Sequence, residues 1–394
     1  MEAVKPDKFI SFSPPLFDQE EERELIDTLR SGWITTGPKV NKFEEQLCTY
    51  VNANYGVGTF SCTDALLLAL KMFDLKMGDE VITSPYTFAS TAHVVCHHNA
   101  TPVFVDIEAD TFNIDYRLIE QKITKHTKGI IPIHFGGHSC DMDPIMDIAN
   151  KYNLFVIEDA AHAIGTEYKG KKIGSFGDIT CFSFYATKNM TTAEGGMAVT
   201  DNENWAKRMR ILTMYGISDA REIWQNRYRS DSASIHYDVQ ELGYKCNMTD
   251  LSACLGLCQL KKLDHFISKR KSYFDLYNSI FDSHPGLSIP NIKPYTKSAY
   301  HLYPLLLNLD YISISRDDFI TQLKQNNIGT SVLFTPLHLF SYYQNTFNYK
   351  NSDFPIAENI FKRIICLPIS PIYNNKTIEN VINLVFYLLD KYKR

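Results

Sequence analysis

Four short apolar segments of the sequence decide its fold: DEVITSP (79–85), TPVFVDI (101–107), KGIIPIHF (128–135) and NLFVIED (153–159). Each is rich in β-branched residues and bounded by turn formers, a pattern typical of buried strands. Segments of helical length lie between them, for example IDYRLIEQKIT (114–124). Because strand and helix alternate, right-handed crossovers are required. The sequence therefore predicts an α/β fold, a mainly parallel sheet with helices on both faces.

The pattern changes after about residue 240. The segment 247–281 predicts one long helix that begins at Thr249 or Asp250. Its predicted buried stripe consists of Leu251, Leu255, Cys258 and Leu263. Shorter strand and helix patterns follow, as in a small α+β domain. We therefore predict two domains, with residues 1–255 as the large α/β domain and residues 256–394 as the small one.

Charge and hydropathy argue against several classes of function. The 394 residues include 40 basic and 45 acidic side chains, a formal charge of −5, which disfavours broad binding to nucleic acid or to an anionic membrane. No apolar run approaches the ~20 residues that cross a bilayer. The N-terminal residues lack the apolar region of a secretory signal, so we expect a cytoplasmic protein.

Cysteine and histidine spacing gives little support for a metal protein. The nine cysteines contain no CxxC pair, which argues against a disulfide framework and against a paired zinc ribbon. His93, Cys96 and His97 have the spacing of a metal-binding helix face, and HFGGHSCDMD (134–143) also holds several possible ligands. Because no fourth ligand accompanies the first set, we do not predict a metal site there.

Chemically active side chains directly follow the predicted strands. Asp159 ends one strand, and His162 comes three residues later. Lys188 follows another predicted strand, which ends near Ser183 and Tyr185. The residues 61–64 lie between a short strand and an apolar helix. Since ligands of open α/β sheets bind at the carboxyl ends of the strands, we expect these groups to share one site.

Each of these groups also has an ordinary structural explanation. Asp159 could cap the next turn, Thr63 could cap the apolar helix, and His162 could be a satisfied histidine at a helix start. Lys188 could be a solvated surface charge. In combination, however, an acid, an amine and a helix N-terminus are the groups that pyridoxal 5'-phosphate requires for its pyridine nitrogen, its aldehyde and its phosphate.

A dinucleotide site is the competing interpretation of residues 56–61. Gly56, Gly58 and Ser61 form G-x-G-x-x-S, and Asp79 and Glu80 follow at about the spacing of a ribose-binding acid. The third glycine, which close helix packing requires, is missing. A nicotinamide-dependent dehydrogenase is therefore the weaker alternative.

Long motifs in this chain resemble those of the DegT/StrS sugar aminotransferases, which have the fold of the aspartate aminotransferase class. The likeness covers nearly the whole length. The motifs that carry it include SCTDALLLAL (61–70), GDEVITSPYTFAST (78–91), the segment 156–197 around VIEDAAHAIG and ATKN, ELGYKCNMTDLSACLGLCQLKKLD (241–264) and NNIGTSVLFTPLH (326–338). The resemblance implies a large domain with a mainly parallel seven-stranded sheet.

The resemblance also implies roles for individual residues. Lys188 would form the Schiff base with pyridoxal 5'-phosphate and later move a proton between substrate and cofactor. Asp159 would pair with the pyridinium nitrogen, which keeps the ring protonated as an electron sink. Phe88 would stack on the ring and His162 would approach the phenolic oxygen. The phosphate contacts that the resemblance implies are Thr63, Asp64 and Ser183.

Contacts with the sugar are predicted at Tyr185, His338 and Arg227. Arg227 stands with Arg221 and Arg229 in a segment rich in aromatic residues, which is either a solvated loop or a clamp for a nucleotide diphosphate. The resemblance suggests that His338, in the TPLH segment, faces the sugar.

One motif departs from the family pattern. Many members have GYNYR where this chain has GYKCN (243–247). In the family this loop crosses to the partner subunit of a homodimer and touches its cofactor phosphate. We assign that contact to Asn247 first and to Lys245 second, so an isolated subunit would have an incomplete site.

The resemblance implies a transaminase that takes an amino group from L-glutamate, passes through the pyridoxamine 5'-phosphate form and aminates a nucleotide-linked keto sugar. The GYKCN variant favours carbon 4 of a UDP- or dTDP-4-keto-6-deoxy sugar over carbon 3. The product would serve surface polysaccharide, such as lipopolysaccharide O-antigen. A sugar dehydratase, in which histidine replaces the lysine, and a non-catalytic regulatory relative are the alternatives from other classes.

Overall fold

The structure, a computed structural model, describes residues 5–218 and 237–394. Its first nine strands are β1 (Tyr55–Thr59), β2 (Glu80–Thr83), β3 (Thr101–Phe104), β4 (Thr127–Ile131), β5 (Phe155–Asp159), β6 (Glu167–Tyr168), β7 (Lys171–Lys172), β8 (Ile179–Ser183) and β9 (Gly196–Thr200). Seven of them form one sheet in the order β1-β9-β8-β5-β4-β2-β3, and β6 and β7 lie outside it. Strand β9 is antiparallel to both of its neighbours, and the pairs formed by β2, β3, β4, β5 and β8 are parallel. The predicted α/β fold with a mainly parallel sheet is confirmed.

Helices cover both faces of this sheet. Local sequence fixes several of their first residues, since Asp18, Ser61 and Asn202 each accept a hydrogen bond from a backbone N–H of the helix that follows. The helices are α1 (Gln19–Arg30), α2 (Pro38–Val51), α3 (Cys62–Lys71), α4 (Ala89–His97), α5 (Met142–Tyr152) and α6 (Glu203–Leu212). Because these helices cover the faces of the sheet and not the carboxyl ends of its central strands, a ligand can bind at those ends.

One predicted helix is wrong. The segment 114–124 forms only two short 3₁₀ turns, Tyr116–Leu118 and Glu120–Lys122. The Asp115 side chain accepts hydrogen bonds from the backbone N–H of Arg117 at 3.0 Å and from its guanidinium Nε at 2.7 Å. This local bonding competes with helical bonding.

The long helix α7 (Asp250–Phe281) is capped by Thr249, as predicted. Cys258 and Leu263 are buried, whereas Leu251 and Leu255 are only half-buried, so that part of the predicted stripe is wrong. The helix packs against both α1 and α2, so the face that it buries is not the one that the sequence pattern predicts. Its inward residues in this half are Ala253, Cys254, Leu257, Leu260 and Leu263.

The second half of α7 belongs to another cluster. Tyr273, Phe274, Tyr277 and Phe281 pack in the core of the small C-terminal unit, together with Ile10 from the N-terminal segment. This unit contains β10 (Leu287–Ser288), β11 (Thr296–Lys297), β12 (Tyr303–Leu307), β13 (Ile364–Leu367), α8 (Arg316–Gln325), α9 (Ser341–Phe347), α10 (Pro355–Arg363) and α11 (Asn375–Lys391). Strand β11 pairs with β6 of the large unit. The division at residue 255 falls inside a continuous helix and stays a prediction.

No helix among residues 5–218 and 237–394 is long and apolar enough to span a membrane.

Candidate active site

Asp159 is the last residue of β5, in the centre of the sheet, beside β8. Its side chain is 4% exposed. Thr91 Oγ1 donates to Asp159 Oδ2 at 2.7 Å, and the backbone N–H of Ala161 donates to Oδ1 at 3.1 Å. Burial raises the pKa of Asp159 above its usual value, and these two hydrogen bonds and the charge of Lys188 oppose part of that rise. An anion held in this way is suited to a cationic ligand atom.

Lys188 lies in the loop that follows β8, where its backbone N–H donates to the carbonyl of Tyr185 at 2.9 Å. Burial lowers the pKa of Lys188 to about 8, against smaller opposing effects from Cys62 and Asp159. About one molecule in ten therefore carries a neutral amine at pH 7, and about half do at pH 8. A neutral lysine is the form that attacks an aldehyde.

The start of α3 lies directly against β9. Gly196, the first residue of β9, pairs with Ser183, the last residue of β8. A Cβ at Gly196 would lie 2.4 Å from the Ser61 carbonyl atoms and 2.5 Å from the Cys62 nitrogen. Only glycine permits this approach, which brings the N-terminus of α3 beside Ser183.

This arrangement fits a phosphate group. The cap of α3 is Ser61, which accepts from the backbone N–H of Asp64 at 3.1 Å, so the alternative that Thr63 caps the helix is wrong. Thr63 is exposed at the helix start. The Asp64 carboxylate accepts from the Ser61 hydroxyl at 2.7 Å. Through Gly196, the first turn of α3 and Ser183 lie at the same end of the sheet, and their backbone N–H groups and hydroxyl are the donors that an anion requires.

Phe88 precedes α4 at its N-cap position and is 64% exposed. Its ring lies 6.3 Å from that of Phe334. An aromatic ring exposed to this extent is not a core residue. It is therefore available to stack on a planar ligand.

His162 is buried between two other rings. It stacks on Phe334 at 5.6 Å and lies 4.5 Å from His301. Burial lowers its pKa well below the usual value, so the ring is neutral. Nδ1 accepts from the backbone N–H of Gly136 at 3.3 Å. The proton is therefore on Nε2, which makes His162 a hydrogen-bond donor toward a ligand oxygen.

His301 and Asn189 were not predicted from the sequence. Asn189 donates through Nδ2 to the carbonyl of Ala299 at 2.6 Å, and its amide oxygen lies 3.0 Å from His301 Nδ1. Since an amide oxygen only accepts, His301 Nδ1 carries the proton. Asn189 directly follows Lys188 and joins the lysine loop to the small unit. The one signal in the sequence was the pairing of Asn with Lys in ATKN.

Lys245 and Asn247 contact each other within the chain. Lys245 Nζ donates to Asn247 Oδ1, and Asn247 Nδ2 donates to Thr36 Oγ1 at 2.6 Å. Asn247 also forms a bridge with Thr59, the last residue of β1. The segment is therefore held beside the end of β1, two residues before Ser61.

The residues predicted to contact the sugar differ in their exposure to solvent. Tyr185 is 47% exposed and follows β8. His338 is fully buried, with Nε2 3.0 Å from Glu358 and its ring 4.8 Å from that of Phe354, so the structure does not expose it to a ligand. Arg227, like Arg221 and Arg229, lies outside the described residues.

Local structure tests the competing interpretation of residues 56–61. Gly56 and Gly58 lie inside strand β1 and not in a turn before a helix, so the dinucleotide interpretation is wrong. His93 stacks on the ring of Tyr343 at 5.8 Å. His134 lies 3.0 Å from the buried Glu158. Among the residues that the structure describes, no three His, Cys, Asp or Glu side chains are grouped to hold a metal ion.

We call the first turn of α3 together with Ser183 the anion cradle. The class of protein is a fold type I, pyridoxal-phosphate-dependent aminotransferase. It is defined by the strand order together with the acid at the end of β5, the lysine after β8 and the anion cradle. Comparison with known proteins identifies the family. The model of the DegT/DnrJ/EryC1/StrS aminotransferase family matches residues 15–386, so the chain belongs to that family. It is a transaminase whose cofactor is pyridoxal 5'-phosphate.

Several relatives match over nearly their whole length. The "Uncharacterized protein MJ1066" of Methanocaldococcus jannaschii is 51% identical over 378 residues, 95% of this chain and 97% of the relative. The "Spore coat polysaccharide biosynthesis protein SpsC" of Bacillus subtilis is 47% identical over 382 residues, 97% of each. Among solved structures, the "Putative sugar aminotransferase Spr1654" from Streptococcus pneumoniae in its PLP form has a TM-score of 0.88 at 34% identity, covering 97% of this chain and 99% of that one.

Proposed function

We propose that this aminotransferase moves an amino group from L-glutamate to the keto group of a nucleotide-linked sugar. The observation that carries the proposal is the single edge of the sheet at which a buried acid, a lysine with a lowered pKa and an anion cradle meet. The sugar acceptor is supported by the relatives, one described as a sugar aminotransferase and one as a spore coat polysaccharide biosynthesis protein.

The residues divide the work between binding and proton transfer. When bound, pyridoxal 5'-phosphate supplies an aldehyde that exchanges amines and a ring that accepts electrons. Lys188 would take a proton from the substrate carbon and return it, because its amine is neutral in part near pH 8. Asp159 would hold the ring nitrogen in its protonated form. Phe88 would cover one face of the ring.

The remaining contacts orient the cofactor. The neutral His162 would donate from Nε2 to the phenolic oxygen, since its Nδ1 is occupied by Gly136. The Ser183 hydroxyl and the N-terminus of α3, at Thr63 and Asp64, would hold the phosphate. The Asp64 carboxylate accepts from Ser61, so the contribution of Asp64 to an anion would come from its backbone N–H. That N–H donates to the Ser61 hydroxyl in this structure and would donate to the phosphate in the holoprotein.

The visible absorption spectrum tests the proposal. The holoprotein should have a visible band that bleaches on addition of L-glutamate and returns on addition of the keto sugar acceptor. We favour a UDP- or dTDP-4-keto-6-deoxy sugar over a 3-keto sugar, with a 4-amino sugar for surface polysaccharide as the product. Mass spectrometry of the product from a panel of both classes distinguishes them. A protein that forms no band even with added cofactor would contradict the proposal.

We further propose a homodimer in which Asn247, assisted by Lys245, contacts the cofactor phosphate of the partner subunit. Mixing Lys188→Ala with Asn247→Asp subunits tests this. If Asn247 serves the partner, one site of each mixed dimer is intact and about a quarter of wild-type activity returns. If Asn247 serves its own chain, no mixed dimer contains an intact site and no activity returns.

A further inference from the structure

Two buried threonines connect Asp159 to the start of α4. Thr91 Oγ1 lies 2.7 Å from Asp159 Oδ2, and Thr87 Oγ1 lies 2.9 Å from Thr91 Oγ1. Thr91 is 0% exposed and Thr87 is 2% exposed. Because hydroxyls buried to this extent depend on their protein partners for hydrogen bonds, the chain of three side chains has a defined geometry.

The direction of the two hydrogen bonds follows from the available protons. An ionised carboxylate only accepts, so Thr91 donates its hydroxyl proton to Asp159. Thr91 then offers a lone pair to Thr87, and Thr87 is the donor of the second bond. Ala161 donates to the other carboxylate oxygen, Oδ1. Two donors on two oxygens favour the ionised form of Asp159 over the protonated form.

These donors act against the burial of Asp159, which raises its pKa. The charged or titratable groups that also act on Asp159 lie in the loop after β8, in the loop after β4, at the start of α3 and within β8 itself. They are Lys188, His134, Cys62 and Cys181. Of these, Lys188 and His134 lower the pKa of Asp159, but neither is a hydrogen-bond partner of its carboxylate.

The position of Thr91 links it to the proposed ring contact as well. Phe88 is the N-cap residue of α4, and Thr91 follows three residues later in the first turn of that helix. One helical turn thus carries both the exposed aromatic ring and the donor to the carboxylate. The helix N-terminus also places the positive end of its dipole near Asp159.

We propose that Thr91 is a positioning residue for transamination and that Thr87 supports it: the relay from Thr87 through Thr91 to Asp159 keeps the carboxylate ionised and aims its free lone pairs at the ring nitrogen of the cofactor. This inference rests on the role that we propose for Asp159. It assigns the threonines no contact with substrate, and their effect acts through the carboxylate alone.

Four variants separate the relay from simple packing. Thr91→Val keeps the shape and removes the donor, and Thr91→Ser keeps the donor. Thr87→Val removes only the distal hydroxyl. Thr83→Val is the matched control, because Thr83 is 0% exposed and donates to the Ile131 carbonyl at 2.8 Å, away from Asp159.

The first measurement is the titration of the Asp159 carboxyl in the apoprotein by 13C NMR, with the resonance identified by its loss in Asp159→Asn. We expect the midpoint to rise by about one pH unit or more in Thr91→Val, because a hydrogen bond to a charged group is lost. It should rise by less in Thr87→Val, because the bond lost there is to the Thr91 hydroxyl and not to the carboxylate. Thr91→Ser and Thr83→Val should titrate like the wild type. A wild-type midpoint in Thr91→Val, or an equal shift in Thr83→Val, would overturn the proposal.

The second measurement uses the holoprotein. With 15N-labelled pyridoxal 5'-phosphate, the ring nitrogen should be less protonated in Thr91→Val than in Thr91→Ser at the same pH. Bleaching by L-glutamate should be about ten- to a hundredfold slower in Thr91→Val. Failure of the proposed function itself has a different signature: the wild-type protein would form no band that glutamate bleaches, while the carboxyl titration of the apoprotein would still report on the relay.

Discussion

The rate at which the apoprotein reacts with pyridoxal 5'-phosphate should rise with pH, and the pKa of Lys188 should set the midpoint of that rise. Burial lowers the pKa of this amine from 10.5 to about 8. At pH 7 about one molecule in ten then carries a neutral amine, against about three in ten thousand for an ordinary lysine. Burial therefore raises the concentration of the reactive form about 300-fold.

Rapid mixing of the apoprotein with the cofactor between pH 6 and pH 10 measures this directly. The rate at which the visible band appears should rise about tenfold per pH unit and level off above about pH 8. The same reaction with N-acetyl-lysine ethyl ester is the control, because the cofactor titrates in the same way in both reactions. A difference between the two pH profiles therefore comes from the lysine. Borohydride trapping and peptide mass spectrometry should place the adduct on Lys188, and Lys188→Ala should form none. A rate that keeps rising to pH 10 would refute the reasoning.

The stability of the apoprotein gives a second readout of the same shift. Because the folded-state pKa of Lys188 is below its unfolded value, the unfolded chain binds more protons between about pH 8 and pH 10.5. The contribution of Lys188 to the free energy of unfolding should therefore rise with pH across this window, by up to about 3 kcal/mol. Urea unfolding at about pH 8 and pH 10.5 should show the free energy of unfolding rising more in the wild type than in Lys188→Met, because other groups titrate equally in both proteins.

Substitutions at three residues test the site further. Gly196→Ala should weaken cofactor binding by about tenfold or more, measured by fluorescence titration, because the added Cβ would displace the Ser61 backbone that lies 2.4 Å away; unchanged affinity would refute the cradle. Asp159→Asn should slow glutamate-driven bleaching by about a hundredfold or more, since a neutral amide does not hold the ring nitrogen protonated; near wild-type rates would reassign that pairing. Phe88→Ala should lower cofactor affinity about tenfold with little change in stability, because the ring is 64% exposed, and Phe88→Tyr should not.

The sequence predicted the features that depend on local pattern. β-Branched runs located strands of the central sheet, and their alternation with helical segments gave the α/β class. Asp159 and Lys188 were selected because they follow such runs, and ligands bind where parallel strands end. Local pattern misled where short-range bonding decided the outcome, as at Asp115, whose side chain bonds to Arg117 where a helix was expected.

Only the tertiary structure decided which distant residues meet. The sequence gives no sign that Gly196 lies against Ser61, that Thr91 donates to Asp159, or that His301 lies beside His162. All three contacts join residues 68 or more positions apart, and they depend on how helices and strands pack. Burial is likewise a property of the packed chain. A lysine after a strand is visible in the sequence, but its lowered pKa exists only because the fold excludes water from its amine.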